Sequence, residues 1–440
     1  MTTVVRPAGL APVRQLLDNG VVVLAKEART TPAVTIHASL QAGGIYEPAG
    51  TPGLSFFLSR VIDRGTLTRT ADQIAVDLDQ RGVTLNVNVT RHVLSLTCAC
   101  LVEDFDVVLQ LIADIIRHPS LPDAEITTRR GEIVTMIRQD EDNPGVMATE
   151  GLLAMLYPDG HPYGRRAKGD IEVVEAITRD DLVRLHHERM APSGMSLVIV
   201  GDVTPQRAIA AAEEAFGTWS AAPPPRLDLP RVVPAARRQE RVIRMMNKAQ
   251  ADIAYGFTTI ARNDPAYYAY LLMNNVLGQY GLGGRLGDSI RERQGMAYYV
   301  FSAFDANIVE GPLMVRAGVN PANVDRAIAS IDAEVAAMAA NGVTEKELAD
   351  AKQYLIGSMP RNLETNAGIA SFLQTIEFFQ LGLDYDLRLP GLLSAVTRDE
   401  VHEAAQRSLS AERASLVIAG PYTPPGSAVD PYAIPRPQHD

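Results

Sequence analysis

Two stretches of sequence decide the fold, because they repeat each other without a gap. Residues 178–201 read TRDDLVRLHHERMAPSGMSLVIVG, and residues 397–420 read TRDEVHEAAQRSLSAERASLVIAG. Each begins with a threonine followed three residues later by an acid, which is typical of a capped helix start. Each ends in an apolar run closed by glycine, which predicts a buried β-strand. The whole stretch recurs at a constant offset of 219 residues, so the chain is predicted to be a duplicated unit.

The sequence between the two copies predicts where one half ends. Residues 221–239 are rich in proline, with three consecutive prolines at 223–225. Proline at this density favours a stiff, extended connector over a helix or strand. A chain of 440 residues also exceeds what one compact core usually holds. We therefore predict a first domain at 1–220, a connector at 221–239 and a second domain at 240–440.

Within each half, strand patterns alternate with long amphipathic helix patterns. The class predicted is α+β, with two homologous α/β halves, each a mixed, largely antiparallel sheet flanked by helices. A capping box at Thr344 predicts a helix that runs toward Met359. The other predicted elements are a first strand beginning near Arg14 in the stretch 14–24, with strand character at 21–24, a strand at 34–40, and helices at 71–81 and 105–117.

Composition narrows the classes of function. Hydrophobic residues make up 46% and charged residues 21% of the chain, as in ordinary globular proteins, and the net charge of −11 argues against a nucleic-acid partner. Cys98 and Cys100 lie at i and i+2 of a predicted strand, where they share one face and are expected to be buried rather than bridged. No targeting segment or membrane-length apolar run is evident, so we expect no membrane partner and a cytoplasmic protein, or a periplasmic one if a leader precedes the numbered chain.

The stretch at residues 53–66 reads GLSFFLSRVIDRGT and carries a resemblance to a known family. It is similar to the signature helix of the pitrilysin and mitochondrial processing peptidase family, the inverzincins, which have H-x-x-E-H there. In that family the two histidines bind zinc and the glutamate handles the proton of the attacking water. The corresponding positions here hold Phe56, Ser59 and Arg60. A phenyl ring has no lone pair and arginine stays cationic, so these positions are not expected to bind zinc.

The third zinc ligand of the family also has no counterpart. The resemblance implies a glutamate about 76 residues after the second histidine position, and Met136 stands there. A supporting acid expected seven residues earlier is replaced by Arg129. The segment EDNP at 141–144, which resembles the family's sequence after this helix, fixes the alignment. We therefore predict no metal and no other cofactor in this chain.

Other catalytic or metal sites have weaker support in the sequence. His186, His187 and Glu188 fall within one predicted helix without a third ligand at helical spacing, so a solvated helix face is predicted. Ser59 has no histidine or aspartate nearby in its helix to activate it as a nucleophile. The segment HPYG at 161–164 resembles a family loop that shapes the chamber wall and is not a ligand position.

One further constellation resembles the family and is intact. Residues 291–298 read RERQGMAY, which separates Arg291 from Tyr298 by seven positions. In the family an arginine and a tyrosine at this spacing face the zinc and contact the carbonyl region of the bound peptide. A guanidinium and a phenol are both donors that can stabilise an oxygen charge. Without the resemblance, a surface arginine followed by a strand tyrosine would explain the same residues.

A glycine-rich loop lies just before this pair. Residues 277–284 read LGQYGLGG and resemble the peptide-contacting loop of the non-catalytic processing peptidase subunit. The resemblance implies that Gly281, Gly283 and Gly284 contact substrate, since glycine allows close backbone approach. A flexible connector explains the loop equally well.

Taken together, the resemblance implies the non-catalytic subunit of a heterodimeric zinc metallopeptidase. Its partner would be a homologous H-x-x-E-H subunit that holds the zinc, and unfolded peptides would be the substrates. The chain would be inactive alone, and the halves would close like a clamshell. Two other functions stay open: a structural subunit, like the core proteins of the respiratory cytochrome bc1 complex, and a peptide-binding homodimer that does not cut.

Overall fold

The computed structural model describes residues 9–279 and 283–424 of the chain. The strands in these ranges are β1 Val13–Leu16, β2 Val22–Glu27, β3 Ala33–Leu40, β4 Asn86–Val89, β5 Leu94–Leu101, β6 Met195–Gly201, β7 Gln239–Arg244, β8 Ala251–Thr258, β9 Ala297–Phe304, β10 Pro312–Val319 and β11 Ser415–Gly420.

Helices alternate with these strands along both halves of the described chain. Two π-helical segments, Asn275–Gln279 and Gly287–Arg293, precede β9. The α-helices are α1 Leu54–Val61, α2 Ala71–Asp79, α3 Phe105–Arg117, α4 Asp123–Glu141, α5 Pro144–Leu156, α6 Ile171–Ala176, α7 Arg179–Arg189, α8 Pro205–Phe216, α9 Tyr267–Asn274, α10 Val324–Asn341, α11 Glu345–Asn362, α12 Asn366–Phe378, α13 Tyr385–Ala395 and α14 Arg398–Ser408.

Each half contains one mixed sheet, and the two sheets share a topology. The first has the order β1-β2-β6-β3-β5-β4 and the second the order β7-β11-β8-β10-β9. Only the pairs β2–β6 and β7–β11 are parallel, and the other described pairs are antiparallel. Apart from the extra strand β1, both sheets follow the same connection order. The predicted fold class of two homologous halves is confirmed.

The repeated stretches form the same structure in both halves. In α7, the Thr178 hydroxyl accepts a hydrogen bond from the Asp181 amide (3.2 Å), and the Asp181 carboxylate accepts one from the Thr178 amide (2.9 Å). In α14, Thr397 and Glu400 make the same reciprocal pair at 3.2 and 2.7 Å. These capping boxes satisfy amides that a helix start leaves unpaired. The predicted helix and strand are present in each copy.

The stretch at 14–24 is not one strand, as predicted, but a hairpin. β1 ends at Leu16 and β2 begins at Val22, and the two pair in antiparallel fashion. Residues 17–20 form the turn between them, closed by a hydrogen bond from the Gly20 amide to the Leu17 carbonyl (2.9 Å), and Gly20 has a φ of +99°. Asn-Gly is a strong hairpin signal because glycine adopts positive φ without steric cost. This signal was present in the sequence.

The other predicted elements agree closely with the structure. The strand predicted at 34–40 is β3, the helix predicted at 105–117 is α3, and the helix predicted at 71–81 ends two residues earlier. Thr344 caps α11 with Glu347 as predicted, and this helix continues past Met359 to Asn362. Cys98 and Cys100 are both buried and free on β5, and burial raises the pKa of each thiol to about 12.

The two halves interlock through helices that cover each other's sheet. Helix α5 of the first half packs on β8 and β11, where Leu152 joins a buried cluster with Ala254 and Val417. Helix α12 of the second half packs on β3 and β6, where Leu373 joins Val198. Separating the halves would expose both apolar clusters to water, which is unfavourable. The start of α5 therefore lies at a fixed junction between the halves.

The proline-rich connector contains no helix or strand in the described chain, and β7 begins at Gln239. It lies against the folded halves: the Arg189 guanidinium donates a hydrogen bond to the Pro225 carbonyl (2.8 Å), and Val232 is buried in the cluster around Leu152. None of the described helices has both the length and the apolar character to cross a membrane.

Candidate functional site

Helix α1 carries the first three candidate positions, and its start is fixed by a buried acid. Gly53, just before the helix, has a φ of +91°, and a Cβ there would lie 2.4 Å from the Lys168 carbonyl oxygen. The Glu47 carboxylate accepts hydrogen bonds from the amides of Gly53 (3.0 Å) and Ser55 (2.7 Å). Burial raises the pKa of Glu47 to about 7 despite these bonds. This acid caps α1 from outside the helix.

The structure brings the four positions that correspond to the family's three zinc ligands and its catalytic glutamate onto one packed helix pair. Helices α1 and α4 are in contact, and Phe56 and Met136 both pack against the first core. Ser59 is buried, and its hydroxyl donates to the Phe56 carbonyl (2.6 Å). The Arg60 guanidinium lies 3.7 Å from a Glu132 carboxylate oxygen on α4. Each of the four side chains is thus engaged within the chain.

An ion-pair network joins the same two helices. Arg129 contacts the Glu132 carboxylate at 2.5 Å and the Glu125 carboxylate at 3.2 Å. The hydrogen bond from Arg129 lowers the pKa of Glu132, with Arg60 and Arg64 adding to the effect. The guanidinium groups beside the α1–α4 helix pair would repel a divalent metal ion. Throughout the described ranges, no group of three histidine, cysteine, aspartate or glutamate side chains could hold a metal.

Arg291 and Tyr298 lie in the second half at the start of β9. Arg291 is in the second π-helical segment, and a turn in which the Gly295 amide donates to the Arg291 carbonyl (3.0 Å) leads to the strand. Tyr298 is 66% exposed. Arg291 Nε lies 3.9 Å from Oε1 of the neighbouring Glu292, which is a long ion pair. Within the described ranges, no residue forms a hydrogen bond with the Tyr298 hydroxyl. Both donors are therefore accessible from outside the chain.

The segment that presents this pair is anchored to α11. The Arg285 guanidinium makes two hydrogen bonds to the Glu347 carboxylate, at 2.7 and 2.8 Å, and one to the Gly342 carbonyl at 2.9 Å. This contact lowers the pKa of Glu347 to about 2. A bidentate pair of this kind fixes geometry as well as charge. The exposed pair thus projects from an ordered segment.

The three glycines predicted to contact substrate have different environments. Gly281 lies outside the described residues, and Gly283 is exposed. Gly284 is buried, and a Cβ there would lie 2.9 Å from the Gly278 Cα. Close backbone packing therefore explains Gly284 without a ligand, whereas peptide contact by Gly283 stays a prediction.

The prediction of a solvated helix face at residues 186–188 is wrong for one residue. His186 is buried, and its Nε2 lies 2.8 Å from the Ile116 carbonyl oxygen, while His187 and Glu188 are exposed. Burial lowers the pKa of His186 to about 4. Position 186 lies one helical turn after Leu182, which faces the core, so it falls on the buried side.

Sequence patterns did not reveal a cleft of about 730 Å³ at the junction of the two halves. Its walls come from segments far apart in sequence, so no local spacing could have shown it. The lining residues are Gln139, Asp142, Asn143, Pro144, Gly145, Lys248, Ala249, Gln250, Asp252, Tyr299, Phe301 and Arg316. The four predicted ligand positions and the Arg291/Tyr298 pair are not among them, although Tyr299 adjoins Tyr298 on β9.

Two protein-family models match successive parts of the chain. Residues 22–165 match the family described as "Insulinase (Peptidase family M16)", and residues 176–355 match "Peptidase M16 inactive domain". An uncharacterized zinc protease of Mycobacterium leprae is 28% identical over 95% of this chain and 93% of its own length. One of Bacillus subtilis, YmxG, is 25% identical over 80% of this chain and 84% of its own length.

Solved structures share the fold along nearly the whole chain. A peptidase M16 inactive domain from Pseudomonas fluorescens superposes with a TM-score of 0.88 at 24% identity, over 94% of this chain and 98% of that one. A protease from Helicobacter pylori has a TM-score of 0.86 at 17% identity, over 93% and 99%. Since the two family matches together span most of the sequence, the chain belongs to the M16 peptidase family, to which pitrilysin-type inverzincins belong.

Proposed function

We propose that this chain is the non-catalytic subunit of a heterodimeric zinc metallopeptidase. The observation that carries the proposal is an asymmetry between the halves. Phe56, Ser59, Arg60 and Met136 stand at the positions of the family's three ligands and catalytic glutamate and contact other groups of the first half, whereas Arg291 and Tyr298 are exposed on the second. The relatives named as zinc proteases support the peptidase part of the proposal.

The chemistry of the α1–α4 pair supports a metal-free role for this subunit. Zinc in catalytic sites takes nitrogen, sulfur or carboxylate ligands and keeps one position for water. A phenyl ring and a guanidinium supply none of these. The zinc is therefore proposed to reside in a homologous H-x-x-E-H partner.

Arg291 and Tyr298 would act in trans on that partner's substrate. In amide hydrolysis a zinc-activated water adds to the carbonyl carbon, and negative charge develops on the carbonyl oxygen. A guanidinium and a phenol placed near that oxygen stabilise the charge and orient the scissile bond. Both side chains are exposed here, so a peptide held by the partner can reach them.

The fold suggests how a peptide would be held. Strand β4 is an edge strand of the first sheet, paired within that sheet only to β5, and it lies beside α1. An extended peptide can add to such an edge through main-chain hydrogen bonds. A homologous partner would present the same edge beside its own metal helix. Because the two halves of this chain are interlocked, we propose that the clamshell closes between the two subunits. The proposed location of the complex is the cytoplasm.

The experiment is peptide cleavage by this chain, by its nearest H-x-x-E-H homologue, and by the mixture. We expect cleavage of an unfolded peptide to appear or rise strongly only in the mixture, and a chelator to abolish it. Chelator-sensitive cleavage by this chain alone would contradict the proposal. A stable complex with no added activity would favour the structural subunit or the peptide-binding homodimer instead.

A further inference from the structure

The cleft at the junction of the halves has a floor built by the second sheet and a wall built by the α4–α5 turn. Asp252 and Arg316 lie on the floor, and a Cβ on Gly145 would be 2.9 Å from Arg316 Nη2 and 3.1 Å from Asp252 Oδ1. The Arg316 guanidinium donates to the Gly145 carbonyl (3.1 Å). Glycine at 145 therefore lets the wall approach this charged floor.

The acid on the floor has its hydrogen-bonding capacity largely filled. Asp252 is only 4% exposed, and it accepts hydrogen bonds from the Tyr299 hydroxyl and from Gln250 Nε2 (3.0 Å). Both oxygens of this buried carboxylate thus already accept a hydrogen bond from a neighbouring side chain. Asp252 is therefore part of the floor and does not need a ligand as a partner.

The second cation of the cleft, Lys248, has an exposed partner. Its ammonium lies 2.5 Å from Asp142 Oδ1, yet the Lys248 side chain is 18% exposed and the Asp142 side chain 69% exposed. A pair with one member in solvent contributes little free energy and is screened by salt. A ligand carboxylate entering the cleft can take the place of Asp142 beside Lys248 without leaving a buried charge unpaired.

We propose that this cleft binds a carboxylate of the peptide substrate, with Lys248 as the specificity-determining residue. The inference rests on the proposed function, because it assumes that peptides bind this subunit. Of the two acids in the lining, Asp252 is buried and hydrogen bonded, and Asp142 is the exposed partner that a ligand carboxylate replaces, so Lys248 is the cation that receives the ligand. Phe301 and Tyr299 give the cleft aromatic walls against which the peptide's apolar groups can pack. The carboxylate comes either from an acidic side chain or from the peptide's C-terminus.

The test is binding of fluorescently labelled unfolded peptides to the full chain, followed by anisotropy. Four peptides carry either Glu or Gln at one central position and end in either a free carboxylate or an amide. The variant Lys248→Met keeps the aliphatic stem and removes the charge. Lys168→Met is the matched control, since Lys168 also pairs with an aspartate at 2.5 Å but lies outside the cleft. Asp142→Asn removes the competing acid.

We expect one carboxylate to raise affinity about fivefold to tenfold, which is the size of a typical net hydrogen bond. Loss of the preference on exchanging Glu for Gln identifies a side chain, and loss on amidation identifies the C-terminus. Lys248→Met should abolish the preference, Lys168→Met should keep it, and Asp142→Asn should increase it. Equal affinity for all four peptides, or an unchanged preference in Lys248→Met, overturns the inference alone. Failure of every peptide to bind this chain also overturns the inference, whereas the proposed function is decided separately by the cleavage assay with the zinc-bearing homologue.

Discussion

The α1–α4 helix pair of the first half and the segment before β9 in the second half differ in whether their candidate side chains contact the rest of the fold or are exposed. At α1–α4 the positions that correspond to zinc ligands pack into the core or join ion pairs, as Ser59 and Arg60 do. Before β9, Arg285 is locked to Glu347, but Arg291 and Tyr298 remain outside. Side chains at the positions proposed to have lost their catalytic role contact other parts of the fold, while those proposed to act on substrate are exposed on an anchored segment.

The largest effect predicted from this comparison is the gain of a bound zinc ion at the α1–α4 helix pair. Because α1 and α4 remain packed together, we expect Phe56→His, Ser59→Glu, Arg60→His and Met136→Glu combined to bind about one zinc per chain, where the native chain binds none. Zinc content after dialysis, measured by mass spectrometry, checks this.

The control for the metal gain is the variant with the three α1 changes but native Met136. It lacks the third ligand and should bind zinc at least tenfold more weakly, because zinc sites of this kind use three protein ligands. Equal zinc content in the two variants would show that α4 does not contribute to the site.

The next effect is a pH dependence of opposite sign in the two halves. Burial raises the pKa of Glu47 to about 7, so the folded state holds a proton that the unfolded state loses above about 4.5. The free energy of unfolding should therefore fall as the pH rises from 4.5 to 7, by at most about 3 kcal/mol from this group. Denaturant titrations of wild type and Glu47→Gln from pH 5 to 8 check this, with exposed Glu188→Gln as control. The same slope in all three proteins would contradict it.

Glu347 should show the reverse behaviour. Its pKa is lowered to about 2 by Arg285, so its stabilising contribution is present above about 4.5 and is lost as the pH falls toward 2. We expect Glu347→Gln to destabilise the protein at pH 6 and to differ much less from wild type near pH 2.5. A deficit of equal size at both pH values would show that the pair does not act through its charge.

A smaller effect on folding free energy should distinguish the glycine that is needed for packing, Gly284, from the one proposed to contact substrate, Gly283. Gly284→Ala places a Cβ 2.9 Å from the Gly278 Cα and should cost about 1–3 kcal/mol of folding free energy, as overpacking does. Gly283→Ala, at an exposed position, should leave the stability within about 0.5 kcal/mol of wild type. Thermal and denaturant unfolding check both variants. Equal destabilisation by the two changes would remove the distinction between these glycines.

The smallest effect concerns the ion pairs between α1 and α4. Glu132→Gln removes the carboxylate that Arg60 and Arg129 share, but its side chain is 40% exposed, so we expect a loss of only about 0.5–1 kcal/mol. High salt should reduce this difference, since partly exposed pairs are screened. A loss that is large and independent of salt would mean that packing rather than charge holds the pair.

Local patterns predicted much of this architecture. The capping residues Thr178 and Thr397 marked equivalent helices in both halves, and the β-branched runs after them marked equivalent strands. The proposed loss of the zinc site at Phe56, Ser59 and Arg60 rests on the resemblance of residues 53–66 to the family's signature helix, and the spacing of these residues places them on one helical face. The two halves and their sheets follow from these local signals.

Long-range packing could not be predicted in the same way. An amphipathic pattern shows that α5 and α12 each bury one face, but it does not show that each covers the sheet of the other half. The cleft depends on that exchange, since it joins Gly145 at the start of α5 to Asp252 and Arg316 on the second sheet. Glu47 was missed for a similar reason, because its role as a cap arises from a loop that folds back onto α1.

The most direct test of the proposed division of labour is the effect of Arg291→Ala on peptide cleavage by the complex with the zinc-bearing homologue. Arg293→Ala is the control, because Arg293 is an exposed arginine on the same segment that already pairs with Asp288. We predict that Arg291→Ala lowers kcat/KM about 10²- to 10³-fold with complex formation and zinc content unchanged, while Arg293→Ala stays near wild type. Wild-type kcat/KM in the Arg291→Ala complex would contradict the claim that this chain completes its partner's active site.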